Sequence, residues 1–485
     1  MASVGTMLAA LISVVAAMDE DCHDETCRSP QFLQLHQHVQ DRAEVAEVRH
    51  PWPHARGRMP QQFGTTPETW TSHKLSWSFA DPAGQFHNVF AGGAAIDEDK
   101  NLYQMTFKGL YAFNLSGHQL WHYATPGISN NEPALYEDLV LGSAHSTGNA
   151  FAVNRSTGKA VWVTKIAQDL GGDCGYPAAY DGVFVVGGGR GHDRVVDGGN
   201  VEVYGLDVTT GEKLWQYAVD KPVWNLTPLF PGDGSTVFMD FAGGMYKLNL
   251  HTGEEIWKTL IKDSRGSFSD GGATLGPNGM VYSCSNPLDY NGAEGTAGIV
   301  RAFYLSNGTE AWWKKTEFPC NTYPAVGHTS GVDGLSVVVA PGSFMGSPHL
   351  HASILSLDAF TGEKKWSVAV KPWDGILGQA AGDVEGYVTR LQDHIQPICL
   401  PAHWSAPMID GNGMVLVGRS DGQLYRVFGP DAGYKGVRSP RMNVSEDGVL
   451  SEAMPIGSAF LHGALSAAPG IFTISSCDTL YVFQK

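Results

Sequence analysis

Positively charged residues are scarce in this sequence. Lysine and arginine total 32 against 49 aspartates and glutamates, which gives a formal net charge of −17. Nucleic acids and anionic membranes are bound through clustered lysine and arginine side chains, because those side chains neutralise phosphate groups. The composition therefore argues against a protein that binds nucleic acid or an anionic membrane surface.

Long apolar runs are scarce as well. The run nearest to a membrane span, residues 8–17, is only about half as long as a bilayer requires. Small residues at positions 15–17 are typical of a signal cleavage site. We therefore predict a signal peptide over residues 1–17 and a secreted protein, in the extracellular space or the secretory-pathway lumen, without a transmembrane segment. No lysine or arginine precedes the run, so a disordered start is the alternative.

The sequence has only 7 cysteines, and it contains no Cys-x-x-Cys pair. This argues against a structural zinc site and against a covalently attached haem. Cys22 and Cys27 could form a disulfide in an oxidising compartment, but the sequence does not give the connectivity. Five Asn-x-Ser/Thr sequons agree with secretion. The predicted glycosylation sites are Asn114, Asn154, Asn225, Asn307 and Asn443.

Glycine, in contrast, is abundant and marks a repeat. The pattern Gly-x-x-x-Trp occurs six times, at Gly117/Trp121, Gly158/Trp162, Gly211/Trp215, Gly253/Trp257, Gly308/Trp312 and Gly362/Trp366. Successive tryptophans are 41 to 55 residues apart, and the segments between them alternate like short strands. Both features are typical of β-propeller blades. The glycine suits a hairpin turn with positive φ, and the tryptophan suits packing between neighbouring blades.

The repeat predicts an all-β, eight-bladed propeller of four-stranded antiparallel blades. A seventh unit, residues 406–433, follows the six clear ones and lacks the tryptophan, and the C-terminal unit stops before its outer strand. A strand that contains Trp77 lies 44 residues before Trp121 and is a candidate for that missing strand. The N-terminal strand would then pair with the C-terminal blade and hide both sheet edges. A seven-bladed ring is the alternative.

The repeated phrase resembles that of the PQQ-repeat, or quinoprotein alcohol dehydrogenase-like, β-propeller family. The family phrase LDAxTGxxxW is matched best by "LDAFTGEKKW" at residues 357–366 and "LDVTTGEKLW" at residues 206–215. The resemblance covers roughly residues 75–485 and implies the propeller fold. It says little about chemistry, because the family holds both PQQ-dependent dehydrogenases and bacterial outer-membrane assembly scaffolds.

Outside the ring we expect a polar N-terminal tail and several inserts. Residues 18–65 are polar with scattered histidines, so the propeller is assigned to residues 66–485. Three stretches are longer than the repeat requires, namely residues 187–200, 371–402 and 430–458. Such inserts could cover one face of the ring.

The candidate site lies where the innermost strands begin, beside the central channel. Polar and aromatic residues at these points suit a concave site for a small polar or sugar-like ligand. The family's dehydrogenases present Glu, Trp, Asn and Asp in that chain order, and they hold PQQ on an aromatic floor beside Ca²⁺. The resemblance therefore implies Glu132, Asn225 and Asp270 as metal ligands. It also implies Asp270 as the catalytic base and Trp224 or Trp404 as the stacking floor, with Glu132 and Asn225 near the cofactor.

Other features count against catalysis. Those dehydrogenases carry a disulfide between adjacent cysteines, and this sequence has no adjacent cysteines. The Gly-x-Ser-x-Gly elbow of hydrolases is missing, and a glycosidase pair of carboxylates cannot be judged without distances. The first hypothesis is therefore a cofactor-free binding or scaffold propeller that contacts a protein or glycan through its top face. The alternative is a PQQ- and Ca²⁺-dependent dehydrogenase that oxidises an alcohol or sugar.

Overall fold

The repeated units of the sequence fold as successive antiparallel sheets. The computed structural model describes residues 49–485 except 61, 85, 91, 130, 172–174, 191–198, 262–268, 270, 287–296, 343–349, 374–402 and 431–441. The predicted signal peptide and Cys22 and Cys27 lie outside the described residues. The described residues from Arg49 to Lys485 belong to one compact unit.

Eight sheets form the blades of the propeller, which confirms the predicted fold. Blade 1 contains β2 (Ala95–Ile96), β3 (Leu102–Thr106), β4 (Gly109–Phe113) and β5 (Gln119–Tyr123). Blade 2 contains β6 (Ala134–Tyr136), β7 (Leu139–Ala144), β8 (Asn149–Asn154) and β9 (Ala160–Lys165). Blade 3 contains β10 (Ala178–Tyr180), β11 (Val183–Arg190), β12 (Asn200–Asp207) and β13 (Lys213–Val223).

The middle blades follow the same strand order with one departure. Blade 4 has three strands among the described residues, β14 (Ser235–Met239), β15 (Met245–Asn249) and β16 (Glu255–Thr259). A bridge between Leu229 and Val237 stands where its innermost strand would be. Blade 5 contains β17 (Ala273–Leu275), β18 (Met280–Ser285), β19 (Ile299–Tyr304) and β20 (Glu310–Lys315). Blade 6 contains β21 (Ala325–Gly327), β22 (Ser336–Val339), β23 (Leu350–Asp358) and β24 (Lys364–Trp373).

The last two blades differ in how their outer strands are supplied. Blade 7 contains β25 (Met408–Ile409), β26 (Val415–Gly418), β27 (Gln423–Pro430), β28 (Met442–Val444) and β29 (Val449–Pro455). Blade 8 contains β30 (Phe460–Ala468), β31 (Ile471–Ser476), β32 (Thr479–Gln484) and the N-terminal β1 (Lys74–Ala80), which follows a short 3-10 helix, Trp70–Ser72. The described residues hold no apolar helix of bilayer-spanning length.

The ring closes as predicted. Strand β1 pairs antiparallel with β32, and Trp77 lies opposite Val482. The outermost strand of blade 8 therefore comes from the N-terminal side of the chain, and both ends are held in one sheet. Closure of this kind pairs the outer edge of β32 with β1.

Five of the six repeat tryptophans, and Trp77 in the closing strand, each join their own blade to the next one. In each of these six blades the indole N–H donates to a backbone oxygen in the hairpin turn of the following blade, at 2.7–3.1 Å. The pairs are Trp77–Leu115, Trp121–Arg155, Trp162–Val208, Trp215–Leu250, Trp257–Leu305 and Trp312–Ala359. The glycine of that same turn has positive φ and lies under the indole ring. A Cβ at Gly253, for example, would be 2.7 Å from the Trp215 ring. The repeated residues therefore build the seams between blades.

Blade 7 breaks this pattern. Trp366 of blade 6 is fully buried, and its indole nitrogen has no hydrogen-bond acceptor among the described residues. Asp447 of blade 7 instead accepts hydrogen bonds from the backbone and the hydroxyl of Ser367, at 2.8 and 3.0 Å. Residues 430–458, which we expected to be an insert, in fact contain β28 and β29 and so complete the sheet of this blade.

The other two expected inserts are described in part. Residues 187–190 and 200 extend the hairpin of β11 and β12, with Arg190 opposite Asn200. Residues 371–373 complete β24, and residues 374–402 lie outside the described residues.

The segment before the ring is not a solvated tail. From residue 50 to residue 66 most of the described side chains are buried, including Trp52, His54 and Gln62. We refer to residues 50–66 as the channel segment. Its backbone bonds to innermost strands on different sides of the ring: Pro53 to Leu135 of blade 2, and Phe63 to Val326 of blade 6. The segment therefore crosses the central channel, whereas the sequence assigned residues 18–65 to a polar tail.

Candidate functional site

The start of the channel segment is held by a network of charged side chains. Arg49 contacts Glu98 at 3.1 Å and Asp138 at 2.7 Å, and His50 Nδ1 lies 2.6 Å from Glu98. Arg155 joins the same carboxylates, at 2.9 Å from Glu98 and 3.4 Å from Asp138. The network ties the segment to blades 1 and 2 before it enters the channel.

Inside the channel the segment is held by neutral hydrogen bonds. His54 Nε2 lies 2.6 Å from the carbonyl oxygen of Tyr176, so this nitrogen must be the donor. Gln62 then donates to His54 Nδ1 at 3.2 Å and to the Pro228 carbonyl at 2.8 Å. Burial lowers the pKa of His54 to about 4, outweighing its hydrogen bond to the Tyr176 carbonyl. His54 is therefore neutral at physiological pH, as its two bonds require.

Arg56 carries the charge at the centre of the segment. Its Nη2 donates to the carbonyls of Pro324 and Pro407, at 2.5 and 3.5 Å, and its guanidinium lies 5.6 Å from the centre of the Tyr323 ring. Burial lowers the pKa of Arg56 to about 10, while Tyr323 and Glu132 act in the opposite direction. Arg56 therefore remains positively charged at neutral pH.

Glu132 lies just before the innermost strand of blade 2, as the sequence predicted, but it is fully buried. Its Oε2 accepts from the backbone N–H of Gly93 at 3.2 Å, and its Oε1 is buried without a partner. The carboxyl lies against glycines of two other blades, because a Cβ at Gly92 or Gly463 would collide with it. Burial raises the pKa of Glu132 well above its usual range, although Gly93 and Arg56 lower it. A neutral carboxyl is thus favoured.

Trp224 and Asn225 precede the inner bridge of blade 4 and lie near the channel. Trp224 is half-buried and packs on Phe241, with ring centres 5.1 Å apart. Asn225 is 2% exposed and has a φ of 45°. Its carbonyl accepts the hydroxyl of Tyr323 at 2.6 Å, and this tyrosine also meets Tyr176 edge-on at 5.7 Å. The two tyrosines therefore fill the channel at the level of Arg56.

Trp404 does not form a floor for a ligand, contrary to the expectation from the sequence. It is 1% exposed and belongs to the apolar cluster between blades 6 and 7. Its indole N–H donates to Pro341 at 3.1 Å, its ring meets Tyr425 edge-on, and Arg419 lies 5.5 Å from the ring centre. Its surfaces are in contact with other parts of the protein, because it packs with Trp366 in the seam where the repeat tryptophan makes no indole hydrogen bond.

Trp404 does not fit the predicted role of a floor for PQQ, because a quinone needs an open aromatic face and Trp404 is enclosed within a blade seam. Trp224, the other candidate floor, is half-buried. Calcium binds ionised carboxylates, whereas burial raises the pKa of Glu132. Asp270, the candidate metal ligand and base, lies outside the described residues. Among the residues that are described, no three or more His, Cys, Asp or Glu side chains cluster so as to hold a metal ion.

The predicted glycosylation sites differ in accessibility. Asn307 and Asn443 are exposed, and Asn114 and Asn154 are partly exposed. Asn114 and Asn154 also accept backbone hydrogen bonds within their hairpin turns. Asn225 is buried, so a glycan on its side chain is incompatible with the folded ring, and this corrects the assignment of that sequon.

Sequence reasoning did not find the channel segment or Arg56. The signal that was available is a cluster of apolar and turn-forming residues, "HPWPHARGRMP" at residues 50–60, inside an otherwise polar stretch. A solvated tail has no need of a tryptophan and several prolines. His54 and Arg56 occur once and follow no repeat, so no periodic pattern marked them.

Similarity to known proteins agrees with the repeat. A family model, PQQ_2, described as outer membrane protein assembly factor BamB, matches residues 106–275, from blade 1 to the start of blade 5. The match is limited to this part of the chain, and it supports the resemblance of the repeat to the PQQ-repeat β-propeller family. The similarity concerns the repeated residues that build the seams between blades.

Three curated relatives are similar over parts of their length. Tetrathionate hydrolase from Acidithiobacillus ferrooxidans is 37% identical over 19% of this chain and 17% of its own. BamB from Burkholderia pseudomallei is 29% identical over 31% of this chain and 48% of its own. Polyvinylalcohol dehydrogenase from Sphingopyxis sp. is 24% identical over 54% of this chain and 44% of its own. The chain thus spans less than half the length of each of these relatives.

Solved structures agree with the fold. BamB from Moraxella catarrhalis superposes with a TM-score of 0.58 at 15% identity, covering 85% of this chain and 100% of its own. The quinohemoprotein alcohol dehydrogenase from Comamonas testosteroni gives a TM-score of 0.55 at 13% identity, covering 92% and 82%. At such identities the likeness concerns the fold alone.

Proposed function

We propose that this chain is a binding or scaffold propeller without quinoprotein catalysis, which contacts a protein or glycan through the top face of the ring. The observation that carries the proposal is the burial of Glu132 and Asn225, two of the predicted cofactor residues. Glu132 is 0% exposed and Asn225 is 2% exposed, and the channel segment lies beside them. A substrate has to reach the groups that react with it, whereas these groups are enclosed by the protein.

A protein partner is also supported by the outer rim of the ring, a surface separate from the top face. The residue before the repeat tryptophan is an exposed apolar side chain in four successive blades, with 45–52% of its surface exposed. These residues are Leu120, Val161, Leu214 and Ile256. Exposed apolar side chains at regular positions on rigid strands favour protein contact. The BamB relative, described as an outer membrane protein assembly factor, supports an assembly role for this chain too.

Secretion is part of the proposal. Cys284 and Cys320 form a buried disulfide within the ring. Structural disulfides form and persist in oxidising compartments, which include the extracellular space and the lumen of the secretory pathway. The exposed sequons at Asn307 and Asn443 support the same location.

A PQQ- and Ca²⁺-dependent dehydrogenase acting on an alcohol or sugar is the second candidate. One observation favours it: Glu132, Trp224 and Asn225 all precede innermost strands, at the channel end where such a site would lie. Trp224 is half-buried, so part of its ring is accessible. For this candidate Asp270 would have to complete the set as metal ligand and base.

Reconstitution distinguishes the two candidates. The purified chain is mixed with PQQ and Ca²⁺, and quinone absorbance is followed together with reduction of an artificial electron acceptor by alcohols and sugars. A scaffold gives neither signal beyond that of a boiled sample. Bound quinone absorbance with substrate-dependent acceptor reduction, lost in Asp270→Asn, would establish the dehydrogenase instead.

A further inference from the structure

Arg56 differs from the other buried arginines of the described chain. The structure buries four arginines among the residues that it describes: Arg56, Arg155, Arg301 and Arg419. Three of them lie beside a carboxylate, at 2.6, 3.4 and 3.2 Å respectively: Arg155–Asp97, Arg301–Glu310 and Arg419–Asp421. No described carboxylate oxygen lies within 4.0 Å of the Arg56 guanidinium. The ring thus provides a counter-ion for every buried arginine of this set except Arg56.

The described groups that contact Arg56 are neutral. Two proline carbonyls and the Tyr323 ring contact the guanidinium, and the Nε–H is buried without an acceptor. Carbonyls and an aromatic face lower the energy of a buried cation, but they do not neutralise it. Buried charges in proteins are normally paired, because leaving a charge unpaired in a low-dielectric interior is costly.

Glu132 is the nearest candidate for a counter-ion, and it does not take that role. It influences Arg56 electrostatically but forms neither an ion pair nor a hydrogen bond with it in the described structure. Its Oε1 is buried and unpaired, like the Nε of Arg56. Two buried polar atoms without partners, Arg56 Nε and Glu132 Oε1, therefore lie along the channel.

We propose that Arg56 holds a small anion inside the channel, with its Nε–H as a donor to the anion and Glu132 as a neighbouring group. The ligand class is a halide or a carboxylate no larger than acetate, since Arg56, Tyr176, Tyr323 and Glu132 are all at most 3% exposed. The anion neutralises the charge that the channel segment brings into the ring. It therefore stabilises the seating of that segment, independently of what the propeller binds outside.

Thermal unfolding at constant ionic strength tests the proposal in solution. The full chain is compared in sodium bromide, sodium acetate and sodium gluconate, because gluconate is too large for a buried site. Bromide or acetate at saturating concentration is expected to raise the Tm by about 2 °C or more over gluconate. Arg56→Met is expected to abolish the difference. Arg58→Met is the matched control, since Arg58 lies two residues away, is only half-buried, and should leave the difference intact.

Crystals soaked in bromide give a test that does not depend on a variant. An anomalous peak at hydrogen-bond distance from Arg56 Nε is expected, and it should persist in Glu132→Gln, which places a neutral amide at this position. Equal Tm values in all three salts, together with a water molecule bridging Arg56 and Glu132 in place of bromide, would overturn the proposal. If Arg56→Met does not fold, Arg56→Lys and the soaked wild-type crystal decide the question.

Discussion

At the outer rim, six seams between blades are made by the same two contacts, an indole N–H on a turn carbonyl and an indole ring on a turn glycine. In the central channel, one segment is held by contacts that each occur once, such as His54 on Tyr176 and Gln62 on Pro228. The rim spreads its stabilisation over equivalent sites, whereas the channel concentrates it in a few residues. Damage at one rim seam should therefore be local, and loss of the segment should affect the ring as a whole.

Removing the channel segment is expected to have the largest effect. Deletion of residues 49–66 takes away backbone and side-chain contacts to blades 1, 2, 3, 4, 6 and 7 and leaves their buried partners unsatisfied. We expect a chain that aggregates or unfolds without cooperativity, measured by circular dichroism and size-exclusion chromatography. Deletion of residues 18–48 is the control and should preserve a cooperative melt. A normal melt after both deletions would mean that the rim alone holds the ring.

Loss of one rim tryptophan should come next. Trp215→Ala removes a ring that is 6% exposed and its 2.7 Å bond to Leu250. Such a change leaves a cavity between blades 3 and 4 and should lower the free energy of unfolding by about 3–5 kcal/mol. Leu214→Ala, on the same strand but 48% exposed, is the control and should cost about 1 kcal/mol or less. Urea titration of both variants measures the difference, and equal midpoints would argue against the seam.

The same contrast explains how much the sequence could predict. The repeat predicted eight blades and the pairing of β1 with β32. This was possible because the contact between indole and turn glycine recurs from blade to blade, so the Gly-x-x-x-Trp pattern recurs in the sequence. It did not show that each glycine serves the tryptophan of the preceding blade, since the two lie in different repeat units. The channel contacts of His54 and Arg56 occur once, so no period could indicate them. Trp404 was misplaced because a tryptophan before an innermost strand looks the same in sequence whether it faces the channel or a seam.

Acid should weaken the channel more than the rim. Burial lowers the pKa of His54 to about 4, whereas an unfolded histidine titrates near 6.5. Between these pH values His54 is protonated in the unfolded chain but not in the folded chain. Its contribution to the free energy of unfolding is therefore fully present above pH 6.5 and is lost as the pH falls towards 4. The loss attributable to His54 should be about 2–3 kcal/mol between pH 7 and pH 4.

The His54 contribution is isolated by a variant, because other buried acids titrate in the same range. Burial raises the pKa of Asp240 to about 6, despite hydrogen bonds from Gly244 and Tyr246. Protonation of Asp240 on acidification therefore favours the folded state, whereas protonation of His54 favours the unfolded state. Urea titrations of wild type and His54→Gln at several pH values give the difference between the two curves. His54→Gln should be less stable at pH 7 and should lose less stability on acidification. Parallel curves would show that the His54 ring is already protonated in the folded protein.

The smallest predicted effect distinguishes two reasons for glycine in the turns, namely the positive φ of the backbone and the space that a tryptophan ring needs. Gly253 and Gly182 have similar backbone angles, with φ of 70° and 79°, but only Gly253 lies under a tryptophan. Alanine at Gly182 would meet nothing within 4 Å, so its cost is backbone strain alone, about 1–2 kcal/mol. Alanine at Gly253 adds a Cβ 2.7 Å from the Trp215 ring and should cost about 1–2 kcal/mol more. Denaturant midpoints of the two variants measure this increment. In a Trp215→Ala background the extra cost of Gly253→Ala over Gly182→Ala should vanish, because the ring that opposes the Cβ is gone. If the extra cost remained in that background, it would come from the turn itself.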